Sequence, residues 1–227
     1  VEEKAAGLVR RGDEYRAKNE IKDALEFYNQ AMAVKPDNTS ALQGKASILM
    51  DIGLHSEAIA YLDKAVKIKP EDFRAYFLRA FCLTELNSHA EALEDYRQAL
   101  EHARIFRAGN EAVAVGKGAD DNNISFHMAP FYNNRATSYD ALGRHELARE
   151  KYEAAIAADP NFIPAYINFA NFWANAGNYA EALANIEKAL SVAPDNPEVY
   201  ITRGSVYAEM NRDDEAVADY TKAIEID

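Results

Sequence analysis

The chain has 227 residues, with 37 acidic against 25 basic side chains and a formal net charge of −12. That balance excludes a binder of phosphate backbones, which needs a net basic surface. The single cysteine, Cys82, excludes a disulfide framework and a cysteine-based zinc site, and no apolar run approaches the length of a membrane span.

The N-terminus carries no signal-peptide pattern, so the cytoplasm is the default compartment, and Val1 in place of a methionine points to a trimmed chain. Glycine and proline are sparse and fall between helix-periodic segments, as expected of an all-α protein.

In chain order, one pattern of small and large residues recurs at a step of 34 residues. A first unit, 5–38, carries Leu8, Gly12, Tyr15, then Ala24, Tyr28, Ala31 and Pro36. The second, 39–72, repeats it as Leu42, Ala46, Leu49, Ala58, Leu62, Ala65 and Pro70. The third, 73–106, has Tyr76, Ala80, Leu83, Ala92, Tyr96 and Ala99, but Arg104 where the proline is expected. An insertion of 22 residues, about 107–128, follows. Its glycines and the cluster Asp120-Asp121-Asn122-Asn123 read as a loop, and the preceding helix is expected to overrun through Phe106. The fourth unit, 129–162, resumes with Tyr132, Ala136, Tyr139, Ala148, Tyr152, Ala155 and Pro160. The fifth, 163–196, has Tyr166, Ala170, Trp173, Ala182, Ile186, Ala189 and Pro194. The sixth, 197–227, has Tyr200, Gly204, Tyr207, Ala216, Tyr220 and Ala223, and its last apolar face is expected to lie exposed, so that either the native chain continues or this end docks on something.

Period and pattern together resemble the tetratricopeptide repeat family. The resemblance covers nearly the whole chain and implies a right-handed superhelical solenoid of antiparallel helix pairs, six repeats with one insertion, as a single domain over 1–227. The physics agrees. Small residues let two helices approach closely, aromatic rows fill the space beside them, and Gly53, Gly143 and Gly177 share the turn where the first helix must stop. One helix pair cannot bury its own apolar face, so neighbours must stack.

The resemblance also implies that the first helix of each unit lines a concave groove. The groove-facing positions hold Asn133, Asn134 and Thr137 in the fourth unit, Asn168, Asn171 and Asn175 in the fifth, and Thr202 and Ser205 in the sixth. An amide offers a donor and an acceptor together, matching a peptide bond. The rows Asn134, Asn168, Thr202 and Thr137, Asn171, Ser205 are similar to the asparagine ladder of the O-linked N-acetylglucosamine transferases. Asn168→Ala or Asn171→Ala is expected to weaken a partner without lowering stability. In the earlier units Met50, Phe77, Leu78 and Phe81 form an apolar patch. Val113, Val115, Ile124, Phe126 or Met128 of the insertion is expected to cover part of it.

Other chemistries find little support. The carboxylate-clamp positions of chaperone-tail binders hold Val9, Asp13, Gly44, Arg74 and Leu78, which do not match. Arg79, Arg135 and Arg203 share one position beside the groove and are expected to pair with neighbouring carboxylates. His55, His89 and His145 share the inter-helix turn, too far apart for three to meet at one metal. No nucleophile–base pair or phosphate-cradling loop stands out. Cys82 falls within a helix as a small core residue. The sequence therefore predicts a non-enzymatic module without metal or cofactor, binding a protein or an extended peptide, and neither nucleic acid nor membrane. The alternative is a structural scaffold that oligomerises with itself through the sixth unit or the apolar patch.

Overall fold

The computed structural model describes residues 1–113 and 128–226, with the backbone alone described at 104–113. Among these residues there are twelve helices and no strand: α1 (Glu2–Ala17), α2 (Ile21–Val34), α3 (Thr39–Asp51), α4 (His55–Ile68), α5 (Phe73–Glu85), α6 (His89–Val113), α7 (Met128–Ala141), α8 (His145–Ala158), α9 (Ile163–Asn175), α10 (Tyr179–Val192), α11 (Pro197–Glu209) and α12 (Asp213–Ile226). The chain divides into two compact units, Val1–Ile124 and Ser125–Asp227, each holding three antiparallel helix pairs. Within each unit the fold is the all-α helix-pair stack expected from the sequence.

The first helix of every pair stops in the same way. Gly53, Gly143 and Gly177 have positive φ, and so do Asn19, Asn87 and Asn211 at the equivalent turn of the other three pairs, with φ of 60°, 59° and 57°. Asparagine is among the few residues with a side chain that enters this region at low cost. The next residue then reaches back over the turn, as Leu54 N does to Leu49 O at 2.7 Å. The second helices of four pairs end two residues before Pro36, Pro70, Pro160 and Pro194. A capping side chain opens the following helix in three cases. Asn38 accepts from Ala41 N, Asp72 from Arg74 N, and Asn196 from Glu198 N. Each such cap contributes about 1 kcal/mol.

Without a proline at Arg104, α6 has no stop signal and continues to Val113, through Gly109. The overrun expected to Phe106 is therefore longer, and the segment 107–113, read from the sequence as loop, is helical. A single glycine costs only about 1 kcal/mol in a helix interior, too little to end one. Residues 114–127 lie outside the described residues.

Within each unit the core sits between the helices of each pair and between successive pairs. All twelve alanines of the two second-helix rows are at most 4% exposed. They mark where the helices touch, and the aromatic row fills the gap. Tyr28 is fully buried between Gly12 of α1 and Gly44 of α3, and a Cβ on either glycine would come within 3.0 Å of its ring. In the second unit Ile167 and Ile186 pack with Val199 and Val206 of the next pair. Burying each such side chain contributes roughly 1.5–3 kcal/mol.

Candidate functional site

Helix α9 carries Asn168, Asn171 and Asn175 at intervals of three and four residues, which puts them on one face. Asn133 and Asn134 lie on α7, the first helix of the preceding pair. The amides do not form a uniform row. Asn133 is 4% exposed and joins two neighbours: Asn168 Nδ2 donates to its Oδ1 at 3.1 Å, and its own Nδ2 donates to Asn134 Oδ1 at 3.2 Å. Three amides are thus linked in series from α9 to α7. The acceptor of Asn168 and the donor of Asn134 remain without a protein hydrogen bond among the described residues. Asn171 and Asn175 are exposed and make none, so each offers a whole amide to solvent.

The hydroxyl residues of the expected rows are committed elsewhere. Thr137 Oγ1 donates to Asn133 O and lies 3.3 Å from Tyr152 Oη. Ser205 Oγ donates to Ile201 O and lies 3.3 Å from Tyr220 Oη. In the first unit Tyr28 Oη donates to Asp13 Oδ1 at 2.6 Å, across the same two positions. The tyrosine sits 15 residues after its polar partner each time, on the second helix of the pair. In α9–α10 that tyrosine is replaced by Ile186, which has no hydroxyl, and this is why Asn171 stays free. Burial pushes the Tyr152 phenol up to about 12 and raises that of Tyr28, where the neighbouring Asp13 adds to the effect. Thr202 is buried, and its hydroxyl donates to Glu198 O.

The apolar patch lies in the first unit, and its members are half-buried. Met50 and Leu78 pack on the cluster of Leu49, Leu62 and Cys82. The ring of Phe77 faces Tyr96 and that of Phe81 faces His55, each at a centroid distance of 6.0 Å. The expected cover by the insertion falls on residues whose side chains lie outside the described residues, except Met128, the first residue of α7, which belongs to the second unit. Cys82 is fully buried and its thiol is pushed up to about 12 by burial, so it is not a thiolate near neutral pH. His55, His89 and His145 open α4, α6 and α8, and among the described residues no group of three or more His, Cys, Asp or Glu side chains could hold a metal ion.

The arginine row splits. Arg79 grips the buried Asp95 through Nε and Nη2 at 2.6 and 2.8 Å and reaches Asp63 with Nη1 at 2.7 Å. Arg203 grips the buried Asp219 through Nε and Nη2, both at 2.7 Å. Arg135 holds no carboxylate among the described residues, which corrects the expectation that all three are paired. Its equivalent of Asp95 and Asp219 is Lys151. The sequence held the signal, since all three arginines precede that position by 16 residues.

Comparison with family models gives four matches, each described as tetratricopeptide repeat, over residues 15–81, 73–104, 129–162 and 162–227. A comparison with curated protein sequences gives no match. Among solved structures, that of MamA is 25% identical with a TM-score of 0.58, covering 80% of this chain and 93% of its own. That of PilW, a type IV pilus biogenesis factor, is 18% identical with a TM-score of 0.77, covering 95% and 90%. That of YrrB, described as a repeat protein with an unusual peptide-binding site, is 19% identical with a TM-score of 0.53, covering 88% and 91%. No helix among the described residues is long and apolar enough to cross a membrane.

Proposed function

Because the chain belongs to the tetratricopeptide repeat family, a fold of protein–protein interaction scaffolds, we propose that it is a non-enzymatic module that holds an extended peptide on the amide face of α9. The observation that carries this reading is the pair of exposed, unbonded amides Asn171 and Asn175, set beside the free acceptor of Asn168 and the free donor of Asn134. A peptide backbone alternates the same two groups, so each side-chain amide can take one C=O and give to one N–H. Such bonds contribute roughly 0.5–1.5 kcal/mol each, and affinity needs several together. In this reading Asn133 supports the array from below, and Thr137, Ser205 and Thr202 shape its edges. The half-buried Met50, Phe77 and Phe81 offer an apolar surface of the first unit's own to a protein partner.

The test is a random peptide library selected on the whole chain. Selected peptides should lose at least tenfold affinity for the Asn171→Ala/Asn175→Ala double variant, whose folding stability should match the parent. Equal binding by parent and variant would remove the amide reading and leave the fold intact.

A second reading has its own observation. Ile167 of α9 is 5% exposed beneath the next pair, whereas its equivalent Ile201 on α11 is 49% exposed. Leu183 and Leu190 of α10 pack on the core, whereas their equivalents Val217 and Ile224 on α12 are 62% and 79% exposed. This face would serve self-association. Sedimentation that shifts with concentration in the parent but not in Val217→Glu/Ile224→Glu would support it, and a monomer at every concentration would exclude it.

A further inference from the structure

In each helix pair the seventh residue of the repeat and the residue 16 places on belong to opposite helices, and in four pairs the two are in contact. Arg11 lies over the ring of Phe27 at 4.2 Å, and Lys45 over that of Tyr61 at 4.7 Å. Arg79 and Arg203 instead hold Asp95 and Asp219, using Nε and Nη2 together. That edge of a guanidinium presents two parallel N–H groups at the spacing of two carboxylate oxygens. In these four pairs the slot holds a cation, with either an aromatic face or a carboxylate opposite, whereas α9–α10 carries Phe169 and Asn185 there.

The α7–α8 pair departs from both solutions. Its two residues are Arg135 and Lys151, both cations. Among the described residues Arg135 Nε, which is buried, has no hydrogen-bond partner. Among them the guanidinium donates only from Nη2, to Tyr139 Oη at 3.1 Å, while the rings of Phe131 and Tyr139 lie 5.6 Å from it. The Lys151 side chain is 18% exposed, and its ammonium rests on Glu150 at 2.5 Å. Glu150 lies within reach of the Arg135 charge but makes no ion pair with it. Among the described residues no carboxylate meets the buried Nε, and the repeat position that holds Asp95 and Asp219 in their pairs carries a second cation instead. A half-desolvated charge without a partner is costly, and a carboxylate on the free edge removes that cost.

We propose that Arg135 and Lys151 form an anion site that takes a carboxylate from outside the chain, in the place that Asp95 and Asp219 fill in their own pairs. Among the described residues Nε makes no hydrogen bond, and Nη2 carries a second N–H besides the one given to Tyr139, so the edge that Arg79 and Arg203 turn to aspartate is the one on offer. The Lys151 stem, flexible over four carbons, swings aside to admit the two oxygens to that edge. Lys151 then serves as the second positive charge on the bound group. The site does not depend on the amide face of α9 and is tested without a peptide selected for that face.

The experiment follows the arginine Nε–Hε resonances of the whole chain by NMR, titrated with sodium acetate against sodium chloride at fixed ionic strength. The Arg135 signal should move saturably with acetate, while those of Arg79 and Arg203, already bound to aspartate, stay in place. Penta-glutamate, run in parallel, separates the sources. At least tenfold tighter half-saturation than acetate assigns the site to acidic peptides, and equal half-saturation assigns it to small carboxylates. Lys151→Asp, which supplies the missing carboxylate internally, should abolish the acetate response and raise Tm. The proposal is overturned if Arg135 responds no more than Arg203, if its response rises linearly without saturation, or if it persists unchanged in Lys151→Asp.

Discussion

In α7–α8 and in α11–α12, a tyrosine on the second helix points its hydroxyl at a small polar residue of the first, Tyr152 at Thr137 and Tyr220 at Ser205. In α9–α10 the same place holds Ile186, and the polar residue above it, Asn171, is left to the solvent. All three pairs fill the same gap beside an alanine or glycine of the first helix. What changes is whether the filling side chain carries a hydroxyl that draws in the surface residue next to it. A core substitution therefore decides which surface groups are free to meet a ligand. The arginine row repeats the contrast: Asp219 consumes Arg203, whereas Lys151 leaves Arg135 open.

The largest expected effect breaks the arginine comparison. Arg203→Gln strands the buried Asp219 and should cost about 3 kcal/mol in chemical denaturation, because an uncompensated buried carboxylate remains. Arg135→Gln should cost under about 1 kcal/mol, since no carboxylate is left behind. Equal losses would mean that the two sites are alike. Next, Ile186→Tyr would make α9–α10 resemble its neighbours. Overpacking against Val199 and Val206 should cost about 2 kcal/mol, and the new hydroxyl should draw in Asn171 and weaken selected peptides.

A finer test separates two amides on one helix. Asn168→Ala leaves the buried Oδ1 of Asn133 without its donor and should cost about 1–2 kcal/mol, which corrects the sequence expectation of no loss, whereas Asn171→Ala should fall within about 0.5 kcal/mol of the parent. Thermal unfolding of the two variants side by side decides it.

The smallest effect is a pH dependence. Burial pushes the Tyr152 phenol up from the ordinary tyrosine value of 10.0 to about 12 in the folded chain. The native state therefore binds the proton more tightly, and the resulting stability is complete below pH 10 and lost between pH 10 and 12. Tyr152→Phe should show a shallower decline than the parent over that interval, measured as Tm against pH, and identical slopes would remove the burial argument.

Much of the fold was legible because each repeat position admits one size of side chain. Ala24, Ala58, Ala92 and their equivalents can only be small where two helices touch. The turn row was half legible. Gly53, Gly143 and Gly177 announce a left-handed residue, while Asn19, Asn87 and Asn211 do the same work without standing out among 227 residues. The missing proline at Arg104 signalled an overrun of α6, but its extent depended on how little one glycine resists a helix. At the site, helical phase alone gave the shared face of Asn171 and Asn175. It could not give the burial of Asn133 or the commitment of Thr137 and Ser205, because their partners lie on other helices. The spacing of 15 residues from Asp13 to Tyr28, repeated at Thr137 and Ser205 but not at Asn171, carries that information in the sequence.

The most direct test follows the side-chain NH2 resonances of Asn171 and Asn175 by NMR while a library-selected peptide is added to the whole chain. Both signals should shift saturably at the affinity measured for the peptide, and Thr137 and Ser205 should respond little. Saturable binding that leaves both amides unmoved would place the ligand elsewhere and contradict the account.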